Sequence, residues 1–584
     1  MEKVLITTLN SKYIHSSLAI RYLKSFCNNN DENIDMKEFT INMHLDDILI
    51  DIYEGGYDLV AFSCYIWNYK EILKLTKDLK KVNPDIKILL GGPEVSYKPK
   101  NEIKNKSFID FIIYGEGEKT FYQLVKEFRN NKNYEKVDGL VYKDNKKIRK
   151  NKKRELIKNL DDIPFPYRDD LKGLDHKIIY YESTRGCPFN CSYCLSSTIK
   201  GVRFFSIKRV KRDLKFFLDK NVKQVKFVDR TFNIKKEHYF EIIKFINEND
   251  NGKTNFHFEV TATLLDKEVI NYLKTVRKGL FQLEIGVQTT NKNTLNNINR
   301  DIKFKKLKNN VVELINARTM HIHLDLIAGL PYESYGSFLE SFDDVYKLKP
   351  DKLQLGFLKL LKGSEIRKNS KKYNYVFNDE PPYEVYYNKY ISFDQMIYLN
   401  KIEDILDIYY NSHMFKNTLD YLIKKYFKKP HKFYVKFYEF WDENNLFKLK
   451  HSKLTKYKIL RNFYKTFGNN LNEFNQVLKF DYLINKNKKV KNLFNRKLDR
   501  KFRNKCHEFL HNEENINKYF PQFINLPAKK IIKKVHFEPF DFDCLKFIKN
   551  NFKIDKKEKS VLLFDYTQST LFKKAKVNTI DIKR

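Results

Sequence analysis

The 584-residue sequence has no apolar run approaching the roughly 18–20 residues that a membrane-spanning helix needs. Its opening, Met-Glu-Lys-Val-Leu-Ile-Thr-Thr-Leu, reads as a strand and lacks the charged start and apolar core of a secretory signal. Cysteine is scarce. Seven in so long a chain do not make a disulfide framework, and Cys27, Cys64, Cys506 and Cys544 are scattered and read as ordinary core or surface thiols. Free thiols imply a reducing compartment, so a cytoplasmic location is expected. Acidic residues are short too: 73 against 111 lysines and arginines, a net charge of +38. Such a balance invites a nucleic-acid partner. However, the lysines run along the whole chain together with abundant Asn, Ile, Phe and Tyr, the bias of an AT-rich coding sequence. Dense stretches such as Lys146 to Arg154 and Lys486 to Lys501 read as solvated faces. Nucleic acid is therefore not the expected partner.

Phosphate-binding motifs are missing as well. Gly115-Glu116-Gly117-Glu118-Lys119-Thr120 has Glu118 where a phosphate loop needs glycine, and no Gly-x-Gly-x-x-Gly is present. The length does allow two to four domains. Over about 1–130, apolar strand patterns at Val4 to Leu9, Leu59 to Ser63, Ile86 to Leu90 and Phe108 to Tyr114 alternate with helical patterns at Ser17 to Phe26 and Tyr69 to Val82. That alternation predicts a doubly wound parallel sheet, a Rossmann-like domain, with its ligand beyond the carboxyl ends of the strands. Ser63, Gly91-Gly92-Pro93-Glu94 and Gly115-Glu116-Gly117-Glu118 stand at those ends. Residues 131–175 read as a connector, with a hairpin from Gly139 to Lys150 turning at Asp144-Asn145 and a boundary at Ile163-Pro164-Phe165-Pro166.

Chemistry is concentrated in Ser-Thr-Arg-Gly-Cys187-Pro-Phe-Asn-Cys191-Ser-Tyr-Cys194. Three thiolates on one loop can hold three corners of a [4Fe-4S] cluster and leave the fourth iron open. A structural zinc site would need a fourth ligand close by, and the nearest histidines, His176 and His238, lie outside the loop. Around it, over about 176–365, six strand patterns recur: Ile178 to Glu182, Val225 to Asp229, Phe256 to Thr261, Phe281 to Val287, His321 to Ala328 and Lys352 to Phe357. Repeated β–α units predict a (β/α)6 partial TIM barrel with its chemistry at the carboxyl ends of the strands. Polar residues fall there: Asp229 with Arg230, Glu259, Gln288 and Asp325.

At the Cys-x3-Cys-x2-Cys motif the chain resembles the radical S-adenosylmethionine (radical SAM) superfamily. With the preceding Rossmann-like domain it resembles the cobalamin (B12)-binding class of that superfamily, followed by an uncharacterised C-terminal domain. The resemblance implies three cofactors: a [4Fe-4S] cluster, S-adenosylmethionine (SAM) and cobalamin. It implies that Cys187, Cys191 and Cys194 bind the cluster, that Asp229, Glu259, Gln288, Arg300 (in Asn-Ile-Asn-Arg) and Asp325 contact SAM, and that Ser63, Gly91, Gly92, Gly115 and Gly117 line cobalamin. The Gly-Gly-Glu found beside the methionine amine in some members is missing, and so is the Asp-x-His-x-x-Gly motif that gives cobalt a histidine. His15 does not fit the latter and is expected near the first helix.

The implied reaction is reductive cleavage of SAM to a 5′-deoxyadenosyl radical, used for methyl transfer to an unactivated carbon or for an oxidative cyclisation. The implied partners are a small-molecule or lipid-like substrate and an electron donor such as flavodoxin or ferredoxin, in an anaerobic bacterium. Two other classes stay open: a tRNA-modifying radical SAM enzyme, and a non-enzymatic cobalamin- or metal-binding regulator. The first usually carries three cysteines in its N-terminal domain, where this chain has Cys27 and Cys64 only. Residues 366–584 read as a mostly helical accessory domain, with helical stretches at Tyr398 to Tyr410 and Phe415 to Phe427 and a strand near Ser560 to Tyr566. Cys506-His507 has no partner spacing there.

Overall fold

The computed structural model describes residues 2–145, 147–167, 171–199, 201–485, 491–494, 499–553, 558–567 and 574–582. Lys146, 486–490 and 495–498, which belong to the two basic stretches, lie outside the described residues. The chain forms two compact units, Met1–Met396 and Ile397–Arg584. No helix among the described residues is long and apolar enough to cross a membrane.

The first unit starts with a seven-stranded sheet. Its strands are β1 (Val4–Asn10), β2 (Asp35–Thr40), β3 (Leu59–Ser63), β4 (Lys87–Gly91), β5 (Phe111–Ile113), β6 (Leu140–Asp144) and β7 (Lys147–Lys150), in the order β2-β1-β3-β4-β5-β6-β7. The first five are parallel. Parallel strands covered on both faces need apolar residues throughout. Accordingly β1 and β3 are buried at every position, and separate apolar clusters cover the two faces, one around Val60, Phe62 and Ile88, the other around Ile6, Leu89 and Phe121.

Two features depart from the sequence reading. β2 was not foreseen, because Asp-Met-Lys-Glu-Phe-Thr is a half-polar edge strand with one fully buried residue. The expected hairpin is present, but it extends this sheet through antiparallel pairing of β5 with β6. Asp144 still pairs with Lys147, so the turn begins at Asn145, whose φ is +54.

The second sheet of this unit has six parallel strands: β8 (Ile179–Tyr181), β11 (Gln224–Phe227), β12 (Asn255–Glu259), β13 (Phe281–Gln288), β14 (His321–Ala328) and β15 (Lys352–Phe357), in the order β15-β14-β13-β12-β11-β8. A short antiparallel pair, β9 (Thr184–Gly186) and β10 (Val202–Phe204), brackets the cysteine loop. It was not foreseen either, since three-residue strands carry no readable period. Helices such as Ile207–Asp219, Lys236–Glu248, Phe304–Ala317 and Tyr335–Tyr346 connect the strands, giving the expected open β/α barrel. Strands β12–β14 alternate. Phe256, Phe258, Leu283, Ile285, Ile322 and Leu324 are at most 2% exposed, while His257, Glu259, Glu284, His323 and Asp325 occupy the other face.

The second unit is mostly helical, as expected. Pro430–Glu443 and Lys453–Lys465 pack through an aromatic core that includes Phe433, Phe437, Trp441 and Phe463, and Leu471–Ile484 joins through Phe474 stacked on Tyr464. The strand foreseen near Ser560 is the middle of a three-stranded antiparallel sheet, between Val535–Phe540 and Lys576–Ile580. Cys506 is buried at 4% exposure in this unit's core.

Candidate active site

The cysteine loop leaves β9 at Gly186, whose φ of +102 and lack of a side chain let the backbone pass Gly201; a Cβ there would stand 2.1 Å from the Gly201 carbonyl oxygen. Cys187 and Cys194 are partly exposed, Cys191 is buried, and all three are free thiols. The Cys194 N–H donates to the Cys191 carbonyl at 3.0 Å, closing a tight turn. Each sulfur has a polar neighbour. Cys187 Sγ is 3.7 Å from Thr231 Oγ1, Cys191 Sγ accepts from Arg300 Nη1 at 3.6 Å, and Cys194 Sγ accepts from the Ser196 N–H at 3.4 Å. Burial holds the Cys191 thiol up, with Cys194 and Cys187 adding to it and Arg300 opposing it. A guanidinium beside the most buried sulfur favours its thiolate, the form that ligates iron. This donor set fits a cubane cluster.

Asp229 sits at the base of the loop and is fully buried. Its carboxylate accepts from the Ser183 N–H at 3.0 Å, Ser183 Oγ at 2.8 Å and Thr184 Oγ1 at 2.5 Å. Burial raises this carboxyl to about 6, against the pull of those hydrogen bonds. The family resemblance sets Asp229 among the SAM contacts. In the structure both its oxygens hold the strand that leads into the cysteines.

Gln288 and Arg300 meet on the opposite side of the loop. Gln288 ends β13 after a register shift at Gly286 and adopts φ +69, a conformation that a non-glycine residue holds only when its surroundings impose it. Arg300 donates to Tyr193 Oη at 2.9 Å and to the Gly286 carbonyl at 2.6 Å. Both side chains crowd Gly286: a Cβ there would lie 2.2 Å from Gln288 Nε2 and 3.1 Å from Arg300 Nη2. Two buried atoms, Arg300 Nε and Gln288 Oε1, have no hydrogen-bond partner among the described residues. Glu259 faces Glu284 across the β12–β13 ladder, and Asp325 faces Gly286 across β13–β14. Burial, then Glu284, pushes the Glu259 carboxyl up to about 7. The structure thus brings Cys191, Gln288, Arg300 and Asp325 around Gly286.

In the first sheet the strand order reverses between β1 and β3, the position where such sheets bind ligands. Ser63 lies there, its carbonyl accepting from Thr8 Oγ1 and from Asn68 Nδ2, each at 3.1 Å. Gly92 (φ +105) passes so close to Cys64 that a Cβ would meet the Cys64 oxygen at 2.6 Å. Gly115 (φ +89) has nothing within 4 Å of a Cβ position, so its backbone borders open space. Gly91 and Gly117 have no positive φ, and Gly117 packs on Leu23 of the helix Leu18–Asn28. Beyond β3, Tyr65 stacks on the exposed Trp67 with centroids 4.4 Å apart. This open, glycine-bordered rim with an exposed ring suits a large flat cofactor. His15 lies just before the first helix, Leu18–Asn28, where it bridges to Ile178 and its Nδ1 is 2.7 Å from Tyr180 Oη on β8.

A feature absent from the sequence reading ties the two sheets together. Arg185, two residues before Cys187, donates to Glu118 at 2.5 Å and to Glu182 at 2.7 Å, while Arg203 donates to Glu116 at 2.6 Å. The acidic residues of the Gly-Glu-Gly-Glu turn therefore clamp the cysteine loop. Only the mixture of charge and glycine in that turn hinted at this.

Three family models match the chain in series: "B12 binding domain" over 4–125, "Radical SAM superfamily" over 181–345 and "Protein of unknown function (DUF4080)" over 371–564. Among curated relatives, an uncharacterized methyltransferase of Pyrococcus horikoshii, PH0819, is 31% identical over 195 residues, covering 32% of this chain and 42% of the relative. The cobalamin-dependent radical SAM methyltransferase TokK of Streptomyces tokunonensis is 26% identical over 303 residues, 48% of this chain and 44% of the relative. The chain thus spans a little under half the length of these two relatives. Among solved structures, the cobalamin-dependent SAM radical enzyme OxsB, with aqua-cobalamin and SAM bound, superposes with a TM-score of 0.60 at 14% identity, over 90% of this chain and 84% of that one. The domain order, the cysteine loop and these matches agree: the chain is a radical SAM protein with an N-terminal B12-binding domain and a C-terminal DUF4080 domain.

Proposed function

We propose that the chain is a cobalamin-dependent radical SAM enzyme that methylates an unactivated carbon of a small polar molecule. The observation that carries this reading is the pair of unpartnered buried atoms on the two side chains that meet at Gly286, the donor Arg300 Nε and the acceptor Gln288 Oε1. An amino-acid head group offers the complementary pair, a carboxylate for the guanidinium and an amine for the amide oxygen. When bound, the cluster and SAM supply the radical chemistry and cobalamin supplies the methyl group.

The chain's own residues position and shield. Cys187, Cys191 and Cys194 hold the cluster. Asp229 anchors the loop through Ser183 and Thr184. Arg300 and Gln288 orient the methionine part of SAM, and Glu259 accepts from its ribose hydroxyls. Ser63, Gly91, Gly92, Gly115 and Gly117 border the cobalamin. Methyl transfer is preferred over cyclisation because the TokK relative is named a methyltransferase. A polar substrate is preferred over a lipid because the inner face of β11–β14 carries Lys226, His257, Glu259, Glu284, His323 and Asp325. An apolar ligand would leave those without a protein partner, such as His323 Nε2 and Asp325 Oδ1, unpaired, at about 1–3 kcal/mol apiece. A second cluster on the first domain, as in a tRNA methylthiotransferase, has no support: Cys27 and Cys64 are both 0% exposed, and burial raises both thiols.

The test is anaerobic reconstitution with iron, sulfide and cobalamin, then reduction with SAM and assay for 5′-deoxyadenosine. Product that disappears in Cys191→Ala supports the reading. A loaded cluster that yields no product would turn the assignment towards a binding or regulatory protein.

A further inference from the structure

The inner face of the barrel holds a second set of ligand-type atoms, on β13 and β14, of which Asp325 alone is among the SAM contacts that the family resemblance implies. One donor atom each from Glu284, His323 and Asp325 lies within 4.8 Å of the other two. His323 Nε2 is 2.9 Å from Asp325 Oδ1, and His257 Nε2 is 3.0 Å from Glu284 Oε2. Despite their separation, His323 Nε2 and Asp325 Oδ1 form no hydrogen bond with any described residue, whereas His257 and Glu284 pair with each other. The atoms are near each other but not aligned along a hydrogen-bond axis.

That geometry is costly for a bare site, since His323 is 4% exposed. It is the arrangement expected of atoms that address a common third partner. With metal–ligand distances of about 2.1 Å, neighbouring ligands of one octahedral ion stand ~3 Å apart. Glu259, Glu284 and Asp325 gather on this face; of the three, Glu284 already accepts a hydrogen bond from Lys226 Nζ at 3.0 Å.

We propose that Glu284, His323 and Asp325 bind a divalent cation of the Mn2+, Fe2+ or Zn2+ class, with His257 steadying Glu284 from outside. One imidazole and two carboxylates suit these ions. The alternation of β14 puts His323 and Asp325 on the same face two residues apart, and the β13–β14 register sets Glu284 directly beside His323. The assignment moves Asp325 from the SAM contacts to the metal ligands. It goes beyond the proposed methyl transfer and does not depend on it.

Mn2+ is the appropriate probe, because thiolates discriminate against it and the cysteine loop will not compete. The cluster-loaded full chain is titrated with Mn2+, following loss of the free-ion EPR signal, with bound metal counted by elemental analysis. The expected result is one tightly held Mn2+ per chain. His323→Ala and Glu284→Gln should each weaken it by about tenfold or more, while His321→Ala, on the same strand outside the set, should leave it unchanged. Iron content and circular dichroism identify any variant that fails to fold, and Asp325→Asn then takes its place. Absence of stoichiometric Mn2+, or equal binding by all variants, overturns the proposal. Release of Mn2+ one for one on addition of SAM also overturns it, because the carboxylates would then serve SAM. None of these readouts needs SAM cleavage, so they separate this inference from the proposed function.

Discussion

Glu333 is a carboxylate enclosed at 1% exposure, accepting from Thr289 and Ser341 through one oxygen and leaving the other without a partner among the described residues. Burial raises it from an ordinary 4.5 to about 7. Between those values the folded chain holds a proton that the unfolded chain has released, so stability falls as pH rises through the window. Above it, both states are ionised and folding carries a penalty of about 3 kcal/mol. Glu333→Gln should therefore be more stable than the native chain at about pH 8, with the gain vanishing towards about pH 4.5, as read by urea denaturation across that range. Gly286 makes a second point at this scale. Adding one methyl there drives into Gln288 Nε2 and Arg300 Nη2. Gly286→Ala is expected to retain iron but lose about tenfold or more in SAM affinity, roughly 1.4 kcal/mol or above, by calorimetric titration.

At the scale of elements, the cysteine loop is held at both ends. Asp229 fixes Ser183 and Thr184 before it, and the β9–β10 pair closes over Gly186. Gly186→Ala combines an unfavourable positive φ with a backbone clash at Gly201. It should cost about 2–3 kcal/mol and reduce the iron bound after reconstitution, although the three cysteines are untouched. Much of this element was legible in the sequence, because Cys187, Cys191 and Cys194 lie within eight consecutive positions and their spacing is local. The small strands around them were not. Their partners are 16–20 residues away, and neither has a hydrophobic period.

Across the first unit as a whole, buried ion pairs couple the B12-binding sheet to the barrel. Arg185 reaches Glu118 and Glu182. Elsewhere Glu94, at 3% exposure, accepts from Tyr383 and from Lys362 at 2.9 Å, and Lys362 also reaches Glu102 at 2.9 Å. Removing one partner of such a network leaves charge buried and uncompensated, so Arg185→Ala should destabilise the chain by about 3–5 kcal/mol in guanidinium denaturation. Because Arg185 lies two residues from Cys187, cluster assembly should fall with it. A variant that unfolds no more readily than the native chain would show that the clamp has no structural weight.

What the sequence by itself determined are the features written over short distances. The cysteine loop, the alternation of strands and helices in both α/β sheets, and the glycines at strand ends all follow from local spacing and period, and β3, β14 and β15 begin and end where their apolar patterns do. The tertiary structure alone decided which polar residues meet. Glu116 and Glu118 look like turn residues until the fold brings Arg185 and Arg203 to them. Asp229 reads in the sequence as a ligand contact, and only the fold shows its oxygens on Ser183 and Thr184. His323 and Glu284 stood unnoticed because each is one of several polar positions that alternate with apolar ones along its strand, and only the register of β13 against β14 sets them side by side. Period is a property of neighbouring residues and survives in one dimension. Pairing of buried charges depends on register and on the stacking of sheets, which chain packing sets.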